Sequence, residues 1–213
     1  MVAETIQAEA GIILPVPGFL EKLRKKCSEQ GALLVIDDVQ MGFGRTGKLF
    51  SFEHFNILPD ILVLAKAMGG GMPIGAFISS KKIMDQLSFN PELGHITTFG
   101  GHPLSCAAAL ANLDVLLKDD LIGQAEKKGK ILSYLMEGHP MIKEIRGKGL
   151  VYGIEIKDGS LRKRLTETTL DNGILIDWFL FNANTFRVAP PLTITEDECR
   201  VAGELLLKSM NEI

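Results

Sequence analysis

The stretch ILVLAKAMGGGMPIGAF (61–77) holds one charged side chain, Lys66, between an apolar run and a glycine triplet. A lysine ammonium is strongly hydrated and is seldom buried without a partner or a purpose. At the carboxyl end of a buried strand it sits where α/β sheets place their ligands. Desolvation there favours the neutral amine, a nucleophile for carbonyl groups. The ordinary alternative is a surface lysine whose stem covers apolar surface. The apolar residues before Lys66 and the small ones after it leave little polar surface to share.

Asp37 and Asp38 close a second apolar run, ALLVIDD (32–38). An Asp pair serves turns and helix caps, but Asp37 follows ALLVI directly, so its carboxylate belongs at the same sheet edge and calls for a cationic partner. A protonated pyridine nitrogen is one candidate, and an acid that keeps such a ring protonated makes it an electron sink. A lysine on one strand end and a carboxylate on another suit pyridoxal phosphate.

Other motifs read two ways. GFGRTG (42–47) has the glycine spacing of a dinucleotide fingerprint, which needs a strand directly before it, a helix opening at the third glycine and an acid ending the next strand. Here DDVQM intervenes, no clear long helix follows Gly47, and Asp60 precedes the next strand. The context argues against a nicotinamide site, which stays a distant alternative, and favours glycines that shape a loop. TTFGGHP (97–103) offers hydroxyls and amides before a helix, which suits an anion or a plain capped start. Arg187, inside the apolar pattern of NTFRVAPPL, is either paired structurally or set to grip a carboxylate. His54, His95, His102 and His139 lack metal-ligand spacing.

The elements that position these residues follow from periodicity. FLEKLRKKCSEQ after Pro17 has helical spacing until Gly31. ALLVIDD, ILVLA (61–65) and IGAFISS (74–80) are short continuous apolar runs of the kind that fill parallel sheets on both faces. Helices are predicted from Pro103 and over LIGQAEKKGKILSYLME. Short strands follow at GLVYGIEIK (149–157), GILI (173–176) and FRVAP (186–190), and Thr195 with Glu198 forms a capping box before the last helix. The predicted organisation is an α/β layer over 1–120 and a smaller α+β domain over 121–213.

The 213 residues are 46% hydrophobic and 23% charged, an ordinary globular composition that argues against disorder, and a net charge of −3 gives no reason to expect nucleic acid or an anionic membrane as partner. Three scattered cysteines, Cys27, Cys106 and Cys199, fit a reducing cytoplasm better than a disulfide framework. MVAETIQAEAGIILPVPGF lacks a basic stretch before an apolar core, so it is not read as a signal peptide, and it reads as the middle of a domain.

Together ETIQAEAG, DDVQMGFGRTG, PDILVLAKAMGGGMPIGA, TTFGGHPLSCAAALA and FRVAPPLTIT resemble the class III, fold-type-I pyridoxal phosphate aminotransferases, in the family's order. The resemblance implies an α/β fold: part of a large, mostly parallel-sheet cofactor domain followed by a small α+β domain. It makes Lys66 the lysine that forms a Schiff base with pyridoxal phosphate and moves a proton. Asp37 is similar to the acid paired with the pyridine nitrogen, Val39 to the residue on one ring face, and Gln40 to the one touching the phenolic oxygen. Thr98 resembles the threonine that reaches the cofactor phosphate of a neighbouring subunit, implying a homodimer. Arg187 matches the arginine that binds the α-carboxylate of glutamate or 2-oxoglutarate, and Glu9 the acid that pairs with it when an ω-amino substrate is bound. The implied donor is acetylornithine or ornithine, with 4-aminobutyrate or another ω-amino acid as the alternative.

The sequence departs from the family at Thr5 and Ala8, where proline and glycine are usual, at Asp38 for glutamate, and at His102 for asparagine. Shortening the acid at 38 by one methylene could loosen the orientation of Asp37. Family members are roughly twice this long, so the resemblance covers a C-terminal half. Weak cofactor affinity and little turnover are expected of it alone, and a noncatalytic fragment that keeps the fold is the rival reading.

Overall fold

Residues 1–213 are described by the structure, a computed structural model, and fall into two units. The first comprises Met1–Thr5, Pro15–Phe43 and Lys48–Asp119; the second comprises Ile6–Leu14, Gly44–Gly47 and Asp120–Ile213.

In the first unit, β1 (Val2–Glu4), β2 (Val35–Asp37), β3 (Ile61–Leu64) and β4 (Ala76–Ser79) form one sheet in that order. β1, β2 and β3 run parallel, with Asp37 opposite both Glu4 and Val63. β4 is antiparallel to β3, which places Leu64 opposite Ala76. IGAFISS therefore differs from the parallel runs with which the sequence groups it. A parallel crossover needs a dozen or more residues, usually a helix. Residues 65–75 hold only a 3-10 turn (Lys66–Gly69) and a glycine loop, so the chain turns straight back. Burial also alternates along β3, with Leu62 and Leu64 buried and Ile61 and Val63 half-buried, rather than covering both faces fully.

Helix α1 (Phe19–Glu29) buries Leu20 and Cys27, seven residues apart on one face. Asp60 ties this helix to the sheet: one carboxylate oxygen accepts from Arg24 Nη1 at 2.7 Å and from Leu34 N at 2.7 Å. Burial works to raise the Asp60 carboxyl, but the Leu34 amide and the Arg24 guanidinium outweigh it and hold the group below its ordinary value. A single-turn helix, α2 (Lys81–Met84), and the long α3 (Pro103–Lys118) complete the unit. Pro103 opens α3, a position that needs no N–H partner.

Just past β2, the Asp38 carboxylate is buried, at 1% exposure. Oδ2 accepts from Ser51 N at 2.9 Å, Oδ1 accepts from Ser51 Oγ, and Ser51 Oγ is hydrogen-bonded to Thr5 Oγ1. Burial pushes the Asp38 carboxyl up by more than these Ser51 bonds pull it down.

In the second unit, β5 (Ile142–Lys148), β6 (Val151–Ile156), β7 (Asp177–Trp178) and β8 (Thr185–Val188) form an antiparallel sheet in the order β5-β6-β8-β7. The helices are α4 (Leu121–Met136), α5 (Arg162–Asp171) and α6 (Glu196–Asn211). Its core includes Leu132, Ile154, Ile156, Phe186 and Leu206. The capping box at α6 is present in both arms: Thr195 Oγ1 accepts from Glu198 N, and the Glu198 carboxylate accepts from Thr195 N at 2.7 Å. β5 is a strand that apolar patterning does not announce. GILI is not a strand; the pairing begins one residue later, at Asp177.

GFGRTG is a loop with no helix opening on its third glycine. Gly44 and Gly47 hold φ of 89° and 88°, the left-handed region that favours glycine. Arg45 donates to the carbonyls of Leu150 and Pro190, and Leu150 N donates back to Arg45 O at 2.9 Å. Gly44–Gly47 thus form a strap within the second unit.

Two substitutions test these cores. A Cβ on Gly129 of α4 would lie 1.7 Å from the Gly149 carbonyl oxygen and 3.0 Å from the Tyr152 ring. Gly129→Ala is expected to destabilise by about 1–3 kcal/mol, although at an open helix position the same change gains about 1 kcal/mol. Urea unfolding reads the sign, and an unchanged or raised midpoint contradicts this packing. For Asp38, a folded value above the unfolded one means that its contribution is fully present below about pH 4 and lost as pH rises through the folded value. Asp38→Asn stays neutral throughout, so its stability relative to the parent should grow between about pH 4 and pH 7. A difference that stays flat across that range rules out the raised carboxyl.

Candidate active site

Because β2 and β3 are parallel, their carboxyl ends share one edge of the first sheet. Asp37 is the last residue of β2 and is half-buried, and its Oδ1 accepts from Val39 N at 3.0 Å. This turn, in which an Asp side chain binds the backbone two residues on, fixes the carboxylate at the strand end. Val39 and Gln40, both half-buried, continue it. Lys66 lies three residues beyond Val63, the register partner of Asp37. The structure thus gathers Asp37, Val39, Gln40 and Lys66 at the turns that leave this edge.

Lys66 adopts φ 45°, an uncommon conformation for a residue with a side chain. It opens the 3-10 turn, and that turn is pinned from α3: Asn112 Nδ2 donates to Ala67 O at 2.8 Å. A Cβ on Gly70 would sit 2.8 Å from Asn112 Cβ and 3.1 Å from the Ala108 carbonyl oxygen. At this position the glycine allows α3 to approach. Lys66 itself is exposed, whereas the apolar flanks predict a desolvated amine. The chain leaves the sheet at Lys66 in a left-handed turn, and the glycines that follow have no side chains to cover it.

Thr98 is exposed on the segment leading to α3 and is not part of the strand edge. His102 occupies the helix N-cap without a side-chain hydrogen bond.

The second unit brings Glu9 and Arg187 together. Arg187 lies on β8, opposite Gly153 of β6 and Asp177 of β7. Its Nη2 is 3.1 Å from Glu9 Oε1 and 3.4 Å from Asp177 Oδ2, and its guanidinium carbon stands 4.7 Å from the Phe179 ring centroid. Glu9 is anchored in turn: Oε2 accepts from Leu180 N at 3.2 Å, and its carbonyl accepts from Phe181 N at 3.1 Å. The segment carrying it is held by Arg146 Nε on the Gly11 carbonyl at 3.1 Å and by Asn182 Nδ2 on Ala10 O at 3.3 Å.

Sequence reasoning missed Ser51 and Asp177. Ser51 is unremarked in LFSFEH because its partners lie far away in sequence. Asp177 interrupts an apolar run, but only strand pairing shows that it faces an arginine.

Chemically, a primary amine and a carboxylate with one oxygen engaged by Val39 share a strand edge. That donor set fits a cofactor with a carbonyl group and a protonated ring nitrogen, as pyridoxal phosphate has. An arginine held by acids suits a site that exchanges an internal carboxylate for a substrate's.

The sequence pattern of the family described as aminotransferase class-III matches residues 1–210. Similar solved structures include an acetylornithine aminotransferase from Elizabethkingia anophelis, with 38% identity, TM-score 0.91, and coverage of 100% of this chain and 54% of that one. An ornithine aminotransferase from Toxoplasma gondii, with pyridoxal phosphate partially occupying its active site, shows 35% identity, TM-score 0.91, and coverage of 100% and 50%. An (S)-enantioselective omega-transaminase from Thermomicrobium roseum shows 32% identity, TM-score 0.90, and coverage of 99% and 50%. The chain spans about half the length of these proteins. It belongs to the class-III aminotransferases.

Proposed function

We propose that this chain carries the lysine-bearing half of a transaminase site that moves an amino group from an ω-amino donor, acetylornithine or ornithine-like, to 2-oxoglutarate. We assign residues 1–120 to the C-terminal part of the cofactor-binding domain and 121–213 to the small domain, with Ile6–Leu14 and Gly44–Gly47 grouped by the fold with the second unit. The observation that carries this reading is the strand edge shared by Asp37 and Lys66. Pyridoxal phosphate, when bound, supplies the electron sink.

Each residue then has one task. Lys66 would provide the amine that holds the cofactor covalently and, once the substrate amine has displaced and freed it, would move a proton at the substrate carbon bearing nitrogen. Asp37 keeps the ring nitrogen protonated by pairing with its charge. Val39 packs on a ring face and Gln40 binds the phenolic oxygen. Thr98 serves the phosphate group of a neighbouring copy, which makes the working form a homodimer. Arg187 grips the carboxylate of the oxo acid bidentately. Glu9 takes over Arg187 when the ω-amino donor is bound, an arrangement supported by their 3.1 Å ion pair. The absence of any helix long and apolar enough to cross a membrane is compatible with the cytoplasmic site we assign.

The test is direct. The chain is incubated with pyridoxal phosphate, reduced with borohydride, digested, and mapped by mass spectrometry. The reduced cofactor is expected on Lys66 and is expected to vanish in Lys66→Arg. A tag on a different lysine, or no tag, overturns the assignment.

A further inference from the structure

Arg187 contacts two acids, and the proposed exchange with substrate employs only Glu9. The second, Asp177, comes from β7 and stands directly opposite Arg187 in the strand register. Both acids reach the same nitrogen: Nη2 lies 3.1 Å from Glu9 Oε1 and 3.4 Å from Asp177 Oδ2. The Phe179 ring covers the guanidinium against its face, so carboxylates must meet it along its edges. The cluster of Glu9, Asp177 and Arg187 has a formal charge of −1.

The two acids are not equivalent. The Glu9 side chain is 22% exposed and is tied to the backbone at Leu180 and Phe181. The Asp177 side chain is 74% exposed, and its other oxygen accepts only from the adjacent Trp178 N, at 2.8 Å. Asp177 is therefore the acid that solvent and an incoming anion reach first. A carboxylate that grips the guanidinium with both oxygens needs Nη2 and its neighbouring donor in a fork. It must take Nη2 from both acids and do so against their charge.

We propose that Asp177 is a specificity-determining residue, a second internal carboxylate that competes with dicarboxylate substrates for Arg187 and biases the site against them. This inference rests on the proposed role of Arg187 as the carboxylate clamp. Removing the Asp177 charge removes a competitor and a repulsion, and both effects act in the same direction on an anion.

The probe is glutarate, an unreactive five-carbon dicarboxylate, titrated calorimetrically into the chain and into Asp177→Asn, Asp177→Glu and Arg187→Ala at low salt. Asp177→Asn is expected to bind glutarate more tightly, on the order of two- to fivefold, the effect of a largely exposed ion pair. That gain should shrink as salt is added. Asp177→Glu should return affinity toward the parent, and an unchanged thermal midpoint in Asp177→Asn shows that the fold is intact. Arg187→Ala should abolish binding. If Arg187→Ala binds glutarate as the parent does, the clamp reading fails and this inference with it. If Arg187→Ala loses binding while Asp177→Asn binds no better than the parent, the clamp stands and the role of Asp177 is overturned. Absence of glutarate binding to both the parent and Asp177→Asn also overturns it.

Discussion

The parallel pairing of β2 with β3 is the constraint on which the candidate site depends. Two strands running the same way, about 4.8 Å apart, end on the same edge. That alone brings an acid from residue 37 and an amine from residue 66 to one place. The register is as important as the direction, because a slip of one residue would send the Asp37 side chain to the other face. Asp38 guards the register from just beyond the strand. Its amide donates to Val63 O at 2.9 Å, and its carboxylate is held inside the unit by Ser51. Burying that acid is costly unless its hydrogen bonds are made, and both of its oxygens have a Ser51 donor.

Two arginines in the second unit show how partners separate a structural role from an available one. Arg45 donates to the backbone carbonyls of Leu150 and Pro190, and burial lowers its pKa. Carbonyl partners fixed in the backbone cannot leave, so this guanidinium serves the strap that Gly44–Gly47 form. Arg187 instead meets side-chain carboxylates, one of them mostly in water. Side-chain carboxylates, unlike backbone carbonyls, can swing away, and another carboxylate would offer the arginine the same chemistry. Composition does not distinguish the two arginines; their acceptors do.

Legibility in the sequence followed the range of the interactions. The helices at Phe19–Glu29, Pro103–Lys118, Leu121–Met136 and Glu196–Asn211 were readable because periodicity and caps are local signals. The capping box was visible as two residues three apart. β5 was hidden because MIKEIRGK mixes charge into a strand whose partner is supplied by β6. GILI looked like a strand because apolar runs are ambiguous at that length, whereas pairing with β8 fell to Asp177 and Trp178. The direction of β4 depended on how short its connection was. At the site, the strand-end positions of Asp37 and Lys66 were legible, but the exposure of Lys66 was not, since flanking hydrophobicity does not report which way a side chain leaves a turn.

The departures at Thr5 and Asp38 belong to one physical unit. Taken singly, each weakens a familiar pattern: a threonine stands where proline is usual, and the acid is one methylene short. Proline at position 5 would have no hydroxyl, while Thr5 has one, and it is spent on Ser51. Ser51 in turn puts both its amide and its hydroxyl on Asp38. The hydrogen bonds run from the end of β1 through Ser51 to the end of β2, two strands that the sheet already pairs at Glu4 and Asp37. The shorter acid is thus met by a donor set that reaches to it. This polar chain is formed by residues 5, 38 and 51, which no local pattern links and which only the fold brings within hydrogen-bonding distance.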